Sequence, residues 1–334
     1  MTTLVTGATG FVGSAVARVL AARGHTLRLM TRASSDRRNL AGVEAEIVVG
    51  DLTDHASLAR AVAGCHYLVH VAADYRFWVP DPAAMLRANV EGTVAIMRAA
   101  QQAGVERIVH CSSVAALGLK GDGSIADEES PTKEADFVGI YKRSKFLGER
   151  AVVDLVRQEG LPAVIVNPAA PVGPRDIKPT PTGKMILDAA AGRVPAYIDT
   201  GINIVHVDDV AEGHALALEH GRVGERYVLG GENLLLKDLL ILVADVSGSR
   251  PPLMRLPEAA VWPVALVMEG VAKLTGIPPM MTRDHLKMAR KKMYYSSAKA
   301  IAELGYRPRP VRQAVEDAVA WFRANGMLRG QDRT

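Results

Sequence analysis

The sequence predicts an α/β fold: a doubly wound parallel sheet with helices on both faces, joined to a smaller, mainly helical lobe. Through the first half of the 334-residue chain, short runs of Val, Ile and Leu alternate with segments whose apolar residues recur every 3.6 positions. Strands that are apolar along their whole length are typical of sheets covered on both faces. The alternation of strand and helix is typical of right-handed crossover connections.

The first predicted helix shows the pattern most clearly, because Val12, Val16 and Leu20 share one face and Gly24 ends the helix. Each later helix lies between two apolar runs in the same way. Strands are predicted at 3–6, 26–31, 45–49, 67–72, 107–111 and 163–166. Helices are predicted at 11–23, 55–63, 82–103 and 139–158.

The second half of the chain is less regular. Residues 169–183 are rich in Pro, Gly and Thr, which predicts a loop that leaves the sheet. Strands at 203–207 and 226–229, on either side of a helix capped by Asp208 or Asp209, predict that the chain returns to the sheet. We therefore predict a sheet domain from residues 1–173 and 201–231, and a lobe from residues 174–200 and 232–334.

A glycine-rich loop follows the first predicted strand and opens the first helix. Gly7, Gly10 and Gly13 are spaced as G-x-x-G-x-x-G. Glycines in this position allow a tight turn and a close approach of the backbone to a pyrophosphate, and the helix N-terminus supplies N–H groups and positive potential. A plain glycine-rich turn would show the same spacing, but the position between strand and helix favours a dinucleotide site. The larger domain is therefore predicted to bind a dinucleotide.

The loop after the second strand bears on the choice of dinucleotide. NAD-selective folds place an acid near this point, where it bonds the ribose hydroxyls. Here Arg32 ends the strand, and Arg37 and Arg38 follow it. Because a guanidinium suits the 2′-phosphate of NADP, we expect NADP. NAD is the alternative, with Asp36 reaching the ribose and the arginines solvated.

A tyrosine and a lysine with acid–base potential lie on the helix predicted at 139–158. Tyr141 and Lys145 are four residues apart, which puts them on one helix face. A phenol has a pKa of about 10, and a fixed ammonium nearby lowers that pKa. Such a pair exchanges a proton with a carbonyl or alcohol oxygen while a hydride is transferred.

The same spacing recurs at Tyr295 and Lys299, so the pattern alone is weak. We favour Tyr141, because its helix follows the strand whose carboxyl end carries Ser112 and Ser113. Open α/β sheets bind their ligands outside the carboxyl ends of the strands. Near Tyr295, a serine is expected to cap a helix instead.

Seven motifs occur in order along the chain: Thr6-Gly-x-x-Gly-x-x-Gly13, Asp51-Leu52, His70-Val-Ala-Ala73, Ser112-Ser113, Tyr141-x-x-x-Lys145, Asn167-Pro168 with Gly173-Pro174, and His206-Val-Asp-Asp209. Together they resemble the extended short-chain dehydrogenase/reductases, also called the NAD(P)-dependent epimerase/dehydratase family, over essentially the whole chain. The stretches 73–76, 173–183 and 289–293 resemble bacterial hopanoid-associated sugar epimerases, and dihydroflavonol-reductase-like ketone reductases look similar. The resemblance implies a Rossmann fold and an enzyme that uses NAD(P).

The resemblance also implies roles for individual residues. Tyr141 would be the acid–base, Lys145 would hold the nicotinamide ribose, and Ser113 would orient the substrate oxygen. Many sugar epimerases of the family carry a threonine where this chain has Ala115, which weakens the case for a nucleotide sugar. The expected cofactor-binding residues are Gly7, Thr9, Gly10, Phe11, Val12, Gly13, Arg32, Asp51, Leu52, Ala72, Tyr141, Lys145 and Pro168. The expected substrate-binding residues are Tyr75, Ser113 and Arg175.

Composition argues against several other classes of protein. The net charge is only +4, and no basic run is interleaved with aromatic residues, so we expect no nucleic-acid partner. Cys65 and Cys111 cannot form a disulfide framework, and no C-x-x-C motif is present. His66 and His70 would lie about 13 Å apart on a strand, which argues against a metal site. We expect a small-molecule partner and no metal.

The sequence also bears on location. No basic segment precedes the first apolar strand, and the apolar run at 259–268 is too short to span a bilayer. We therefore expect a cytoplasmic protein without a transmembrane segment. The segment 283–312 holds nine Lys or Arg against two Asp or Glu. A solvated face is expected there, with a docking patch for a phosphate-bearing substrate or an anionic surface, including peripheral membrane contact, as the alternative. The oligomeric state is left open, with a homodimer as one option.

These features predict an NAD(P)-dependent oxidoreductase that reduces a ketone or an aldehyde. One alternative is a sugar or nucleotide-sugar epimerase or dehydratase, because transient oxidation uses the same hydride step. A second is a protein that binds NADP and catalyses nothing. Relatives of that kind typically lose the tyrosine or the lysine, and this chain keeps both.

Overall fold

The computed structural model describes residues 1–76, 79, 81–120, 123–132, 134, 137, 139–257, 262, 263, 266, 268, 275 and 292–328. Its main feature is a seven-stranded sheet in which every neighbouring pair is parallel. The strands are β1 Thr2–Thr6, β2 Thr26–Thr31, β3 Glu46–Val49, β4 Tyr67–His70, β5 Arg107–Cys111, β6 Ala163–Pro168, β7 Ala170–Val172, β8 Ala196–Tyr197, β9 Gly201–His206, β10 Arg226–Leu229, β11 Glu232–Leu235 and β12 Met254–Arg255. The order in the large sheet is β3-β2-β1-β4-β5-β6-β10, so the predicted fold class is confirmed.

The helices of the described residues are α1 Phe11–Ala22, α2 His55–Val62, α3 Pro82–Leu86, α4 Gly92–Gln102, α5 Ile140–Glu159, α6 Pro181–Ala190, α7 Val207–His220, α8 Leu236–Ser247, α9 Ala298–Leu304 and α10 Val311–Ala324. The single helix predicted at 82–103 is interrupted between α3 and α4 by a π-helical turn, Arg87–Glu91. Asn89 of that turn is buried and bonds to two other segments: its Oδ1 accepts from the Asp74 amide at 2.7 Å, and its Nδ2 donates to Ser144 Oγ at 2.9 Å.

Both faces of the large sheet are covered, as the apolar strands predict. Val5, Val69 and Val109 lie on one face, in the cluster that packs against α1 and α7. Their chain neighbours, such as Leu4 and Leu68, point the other way into the cluster formed with α2, α4 and α5. Because side chains alternate along a strand, two buried faces require an unbroken apolar sequence.

The second half of the chain differs from the prediction. β9 was expected to return to the large sheet, but it lies in a separate three-stranded sheet. There it pairs in parallel with β7 and antiparallel with β11. The short strand β7, which directly follows β6, provides the edge with which β9 pairs. The smaller lobe therefore contains a mixed sheet as well as helices. α9 belongs to the predicted lobe, but it packs on the large sheet through Ala300 and Leu304. The boundaries between the two domains therefore stay a prediction.

The start of α7 also differs from the prediction. The residue that caps this helix is His206, whose ring Nδ1 accepts a hydrogen bond from the Asp208 amide at 3.0 Å. Asp209 instead accepts from the Arg309 amide at 2.7 Å and pairs with its guanidinium at 2.8 Å. A buried histidine can therefore cap a helix where aspartates follow it in sequence.

No helix of the described residues is long and apolar enough to cross a membrane. Much of the apolar run at 259–268, and residues 283–291 of the basic segment, lie outside the described residues.

Besides His206, three histidines are buried in the large domain. His70 and His110 are neighbours in β4 and β5, with ring centroids 5.5 Å apart, and His214 lies on α7. Burial lowers the pKa of His70 to about 3 and that of His214 to about 4, and the pKa of His110 lies well below its ordinary value for the same reason. These rings are therefore neutral in the folded protein at every pH near 7.

An unfolded histidine has a pKa of about 6.5. The stability that these groups contribute above pH 6.5 is lost as the pH falls toward the lower pKa values that they have in the folded protein. We expect the free energy of unfolding to decrease between pH 6.5 and 5. In His214→Asn the amide can keep the bond that the ring donates to the Val210 carbonyl at 2.7 Å. The loss between these pH values should then be smaller by about 2 kcal/mol. Urea titrations at both pH values measure this, and an equal loss in variant and wild type would exclude His214 as a source.

Candidate active site

The parallel sheet brings the predicted site residues to one edge. Gly7 follows β1, Arg32 follows β2, Ala72 lies just beyond β4 and Ser113 lies just beyond β5. Because parallel strands end at the same edge, segments far apart in sequence meet there. Pro168 is buried as the last residue of β6, at the same edge.

The glycine loop is folded too tightly for side chains. Gly7 has φ +67°, and a Cβ on it would lie 2.7 Å from the Ala72 amide nitrogen. A Cβ on Gly13 would lie 2.2 Å from the Gly7 carbonyl oxygen. Gly10 precedes α1 and offers no side chain to cap it, and no acid lies in the first turn. The N–H groups of this turn are thus available to a diphosphate, as a dinucleotide requires.

The remaining residues of the loop hold it against the rest of the domain. Phe11 and Val12 begin α1 and pack against the core. The Thr9 carbonyl accepts a hydrogen bond from Asn39 Nδ2 at 3.2 Å. The Asn39 carbonyl in turn accepts two bonds of 2.8 Å from the Arg18 guanidinium. Arg18 and Asn39 were not among the predicted residues, and they tie the loop after β2 to the glycine loop.

Arg32 is exposed beside the carboxylate of Asp51. Hydrogen bonds from Thr53 hold the pKa of Asp51 below its ordinary value, and the positive charge of Arg32 adds to this effect. Asp36, the residue that would favour NAD, is paired with Arg38 at 2.6 Å. Within the described part of the chain, Arg32 has no ion-pair partner closer than 4 Å, so its guanidinium can take a phosphate. Leu52 packs on α4.

The phenol of Tyr141 and the hydroxyl of Ser113 are hydrogen-bonded to each other. Ser113 Oγ also accepts a bond of 3.1 Å from the Ala115 amide, which fixes the hydroxyl. Lys145, on the same face of α5, is buried and donates from Nζ to the Cys111 carbonyl at 3.0 Å. The three predicted catalytic residues therefore meet at the carboxyl end of β5.

The protonation of Tyr141 differs from the sequence expectation. Burial raises the pKa of Tyr141 to about 12, and the hydrogen bond with Ser113 only partly opposes this effect. The ammonium of Lys145 was expected to lower that pKa, but it is directed at the Cys111 carbonyl. Tyr141 is therefore a protonated phenol at neutral pH, which suits a proton donor.

Tyr295 and Lys299 lie away from this edge of the sheet. Tyr295 is 3% exposed in a separate apolar cluster with Leu117 and Val228. Lys299 forms an ion pair with Glu225 and lies 5.2 Å above the Tyr227 ring. The expected serine cap is not formed: Ser297 stands at the N-cap position of α9, but its Oγ accepts from the Gly230 amide at 2.9 Å instead. Ser296 Oγ accepts from the Ala298 amide at 3.2 Å. Tyr295 and Lys299 thus have structural contacts of their own, away from the predicted catalytic pair.

The two further substrate-binding candidates lie near a buried acid. Tyr75 is 44% exposed, and its pKa is raised by burial and by the negative charges of Asp176 and Asp74. Arg175 has φ +75°, a strained conformation for a residue other than glycine. Asp176 beside it accepts two bonds of 2.8 Å from Thr180, and burial raises its pKa to about 6. Asp176 was not among the predicted residues.

Across the described part of the chain, no three His, Cys, Asp or Glu side chains are grouped so as to hold a metal ion. His66 accepts a bond from the Thr2 amide, whereas His70 bonds to Thr6 and Thr93. The two rings therefore bond to different neighbours.

Comparison with known proteins places these features in a family. The sequence profile described as the NAD dependent epimerase/dehydratase family matches residues 3–230. A Synechocystis sp. protein named for dihydroflavonol 4-reductase is 43% identical over 331 residues, which cover 98% of this chain and 96% of that protein. Sterol demethylase protein B of Methylococcus capsulatus is 35% identical over 98% of this chain and 100% of its own. The chain in the crystal structure of gox2253 is 60% identical in sequence and superposes with a TM-score of 0.89. The match covers 98% of this chain and 99% of that one.

The glycine loop gives a prediction that needs no ligand. Gly13→Ala should lower the free energy of unfolding by about 1–3 kcal/mol, because the new methyl group would overlap the Gly7 carbonyl. Gly10→Ala is the matched control, since its Cβ would meet that carbonyl at 3.2 Å and a small shift can relieve the contact. Thermal and chemical unfolding of both variants, without cofactor, measures the difference. Equal losses would mean that the loop does not depend on this close approach.

Proposed function

Because the chain belongs to the NAD dependent epimerase/dehydratase family, we propose that it is a reductase that transfers a hydride from NADPH to the carbonyl carbon of a ketone or an aldehyde. The observation that carries the proposal is the hydrogen-bonded pair of Tyr141 and Ser113 beside Lys145. It lies at the sheet edge that also carries the glycine loop. Retention of both Tyr141 and Lys145 argues against a protein that only binds the cofactor.

In this proposal the chain supplies the proton and the orientation. The reduced nicotinamide, when bound, supplies the hydride. Ser113 donates a hydrogen bond to the carbonyl oxygen and fixes its position. Tyr141, protonated at neutral pH, donates its proton to that oxygen as negative charge develops there. Lys145 would hold the nicotinamide ribose through its ammonium, and Pro168 would border the ring.

The glycine loop would hold the diphosphate and Arg32 the 2′-phosphate. Asp51 and Leu52 would border the adenine, and Ala72, whose backbone lies against Gly7, would border the cofactor beside the glycine loop. The larger predicted domain, residues 1–173 and 201–231, would then bind the cofactor, and the lobe from residues 174–200 and 232–334 would bind the substrate.

A polycyclic, largely apolar carbonyl compound is the substrate class that we favour. Two relatives are named for a dihydroflavonol and for a sterol, which are both polycyclic. Ala115 presents a methyl group where many sugar epimerases of the family carry a threonine hydroxyl. Tyr75 is 44% exposed and offers an aromatic surface on which a ring system can stack.

The first test concerns the proton donor. Tyr141→Phe should lower turnover about 10²–10⁴-fold, the usual range for loss of a general acid, and should leave NADPH binding within a few-fold. Tyr295→Phe is the control and should have little effect. Oxidation of NADPH on addition of carbonyl compounds, followed by absorbance, measures both. Loss of turnover only in Tyr295→Phe would contradict the assignment, and an isomerised sugar with no net change in cofactor would favour the epimerase.

The second test concerns the choice of cofactor. Bonds between a guanidinium and a phosphate contribute about 1.5–3 kcal/mol each, so Arg32→Ala should weaken NADPH binding roughly ten- to a hundred-fold. NADH binding should hardly change, because NADH lacks the phosphate. Arg32→Asp should reverse the preference. Paired titrations with NADPH and NADH measure this, and a wild type that binds both equally would remove the role assigned to Arg32.

A further inference from the structure

Glu149 is a buried carboxylate on the same helix as the predicted catalytic pair. It lies four residues after Lys145 and eight after Tyr141, so all three are close to one face of α5. Its side chain is only 5% exposed. A buried carboxylate is costly unless it is paired and hydrogen-bonded, so its partners indicate what it does.

Two side chains from neighbouring strands hold this carboxylate. Asn167 Nδ2, on β6, donates to Glu149 Oε2 at 2.6 Å, and Arg226 Nη1, on β10, lies 3.5 Å from Oε1. The same Asn167 nitrogen donates to the Ser113 carbonyl at 3.1 Å. Both neighbours of the amide nitrogen are acceptors, which fixes the amide orientation and leaves Asn167 Oδ1 buried without a hydrogen-bond partner. The arrangement keeps the carboxylate in place at the cost of an unpaired oxygen.

The charge of Glu149 acts on Lys145. Burial lowers the pKa of Lys145, whereas a Cys111 thiolate and the Glu149 carboxylate would raise it. Burial also raises the pKa of the Cys111 thiol to about 11, so near pH 7 this group is a thiol and Glu149 is left as the opposing group. His70 and His110 also face Lys145, from β4 and β5, and burial keeps both rings neutral by lowering their pKa.

We propose that Glu149 is a positioning residue of this site: clamped by Asn167 and Arg226, its carboxylate keeps the buried Lys145 in the ammonium form that holds the cofactor ribose. This inference rests on the proposed role of Lys145. It does not depend on which carbonyl compound is reduced, because it concerns dinucleotide binding.

The test is the pH dependence of NADPH binding between pH 6 and 10, measured by fluorescence titration on the full chain. In wild type the dissociation constant should rise as Lys145 loses its proton. Glu149→Gln removes the charge but keeps an oxygen that can accept from Asn167. The rise should then begin about one pH unit lower, since a nearby opposite charge shifts a pKa by about 1–3 units. Affinity at pH 6 should stay within about threefold of wild type.

A matched control separates this effect from general destabilisation. Glu303 accepts from the Tyr227 hydroxyl at 2.9 Å and pairs with Arg222 at 2.7 Å, so it is also a hydrogen-bonded carboxylate paired with an arginine. It lies on α9, which packs on the opposite face of the large sheet from α5. Glu303→Gln should lower the melting temperature and leave the onset pH unchanged. A Glu149→Gln protein that melts earlier but keeps the wild-type onset pH would reduce Glu149 to a structural role.

Arg226→Gln keeps the inference testable if Glu149→Gln does not fold. Arg226 is partly exposed, and its removal takes away the ion pair that clamps Glu149. The onset pH should then move downward, in the same direction as in Glu149→Gln. An unchanged or higher onset in Arg226→Gln, or a wild-type affinity that is constant from pH 6 to 10, would overturn the inference. A wild type that binds NADPH with the expected pH dependence but reduces no carbonyl compound would instead contradict the proposed function alone.

Discussion

The candidate site depends above all on the parallel pairing of the large sheet. Hydrogen bonding in parallel register places Thr6, His70 and Cys111 at successive strand ends, so the residues that follow them converge. No single segment contains the site. The glycine loop, the Ser113 turn and the start of α5 lie together because the same ladder of backbone bonds aligns β1, β4, β5 and β6. A change that shifted one strand by a residue would turn its side chains to the opposite face and separate these groups.

The sequence allowed the large parallel sheet, and the end of it at which the candidate residues lie, to be predicted for two physical reasons. Buried parallel strands and amphipathic helices leave periodic apolar patterns, and the residues just after such strands must lie at one edge of the sheet. What escaped prediction depends on contacts between distant segments. The pairing of β9 with β7 is one case. The cap on α7 by His206 is another, since only burial of the ring distinguishes it from the aspartates that follow.

The candidate site residues that sequence reasoning missed also depend on contacts between distant segments. Asn39 was missed because the Thr9 carbonyl to which it bonds lies thirty positions earlier in the chain. Glu149 did carry a signal, since it extends the spacing of Tyr141 and Lys145 by one more helical turn. The raised pKa of Tyr141 could not be read from spacing, because it depends on how deeply the phenol is buried. Patterns indicate which groups share a face, whereas their protonation depends on the surroundings that other segments provide.

The π-helical turn Arg87–Glu91 has a consequence for how this chain can vary in length. Such a turn contains one residue more than an α-helix of the same height, and the extra residue rotates everything before it by about 100° relative to α4. Asn89 reaches both Asp74 and Ser144 because of this offset. Deletion of one residue here would restore a regular helix and turn that amide away from both partners. Insertions and deletions among homologous chains should therefore be confined to other segments, although this turn is where a helix could most easily lose a residue.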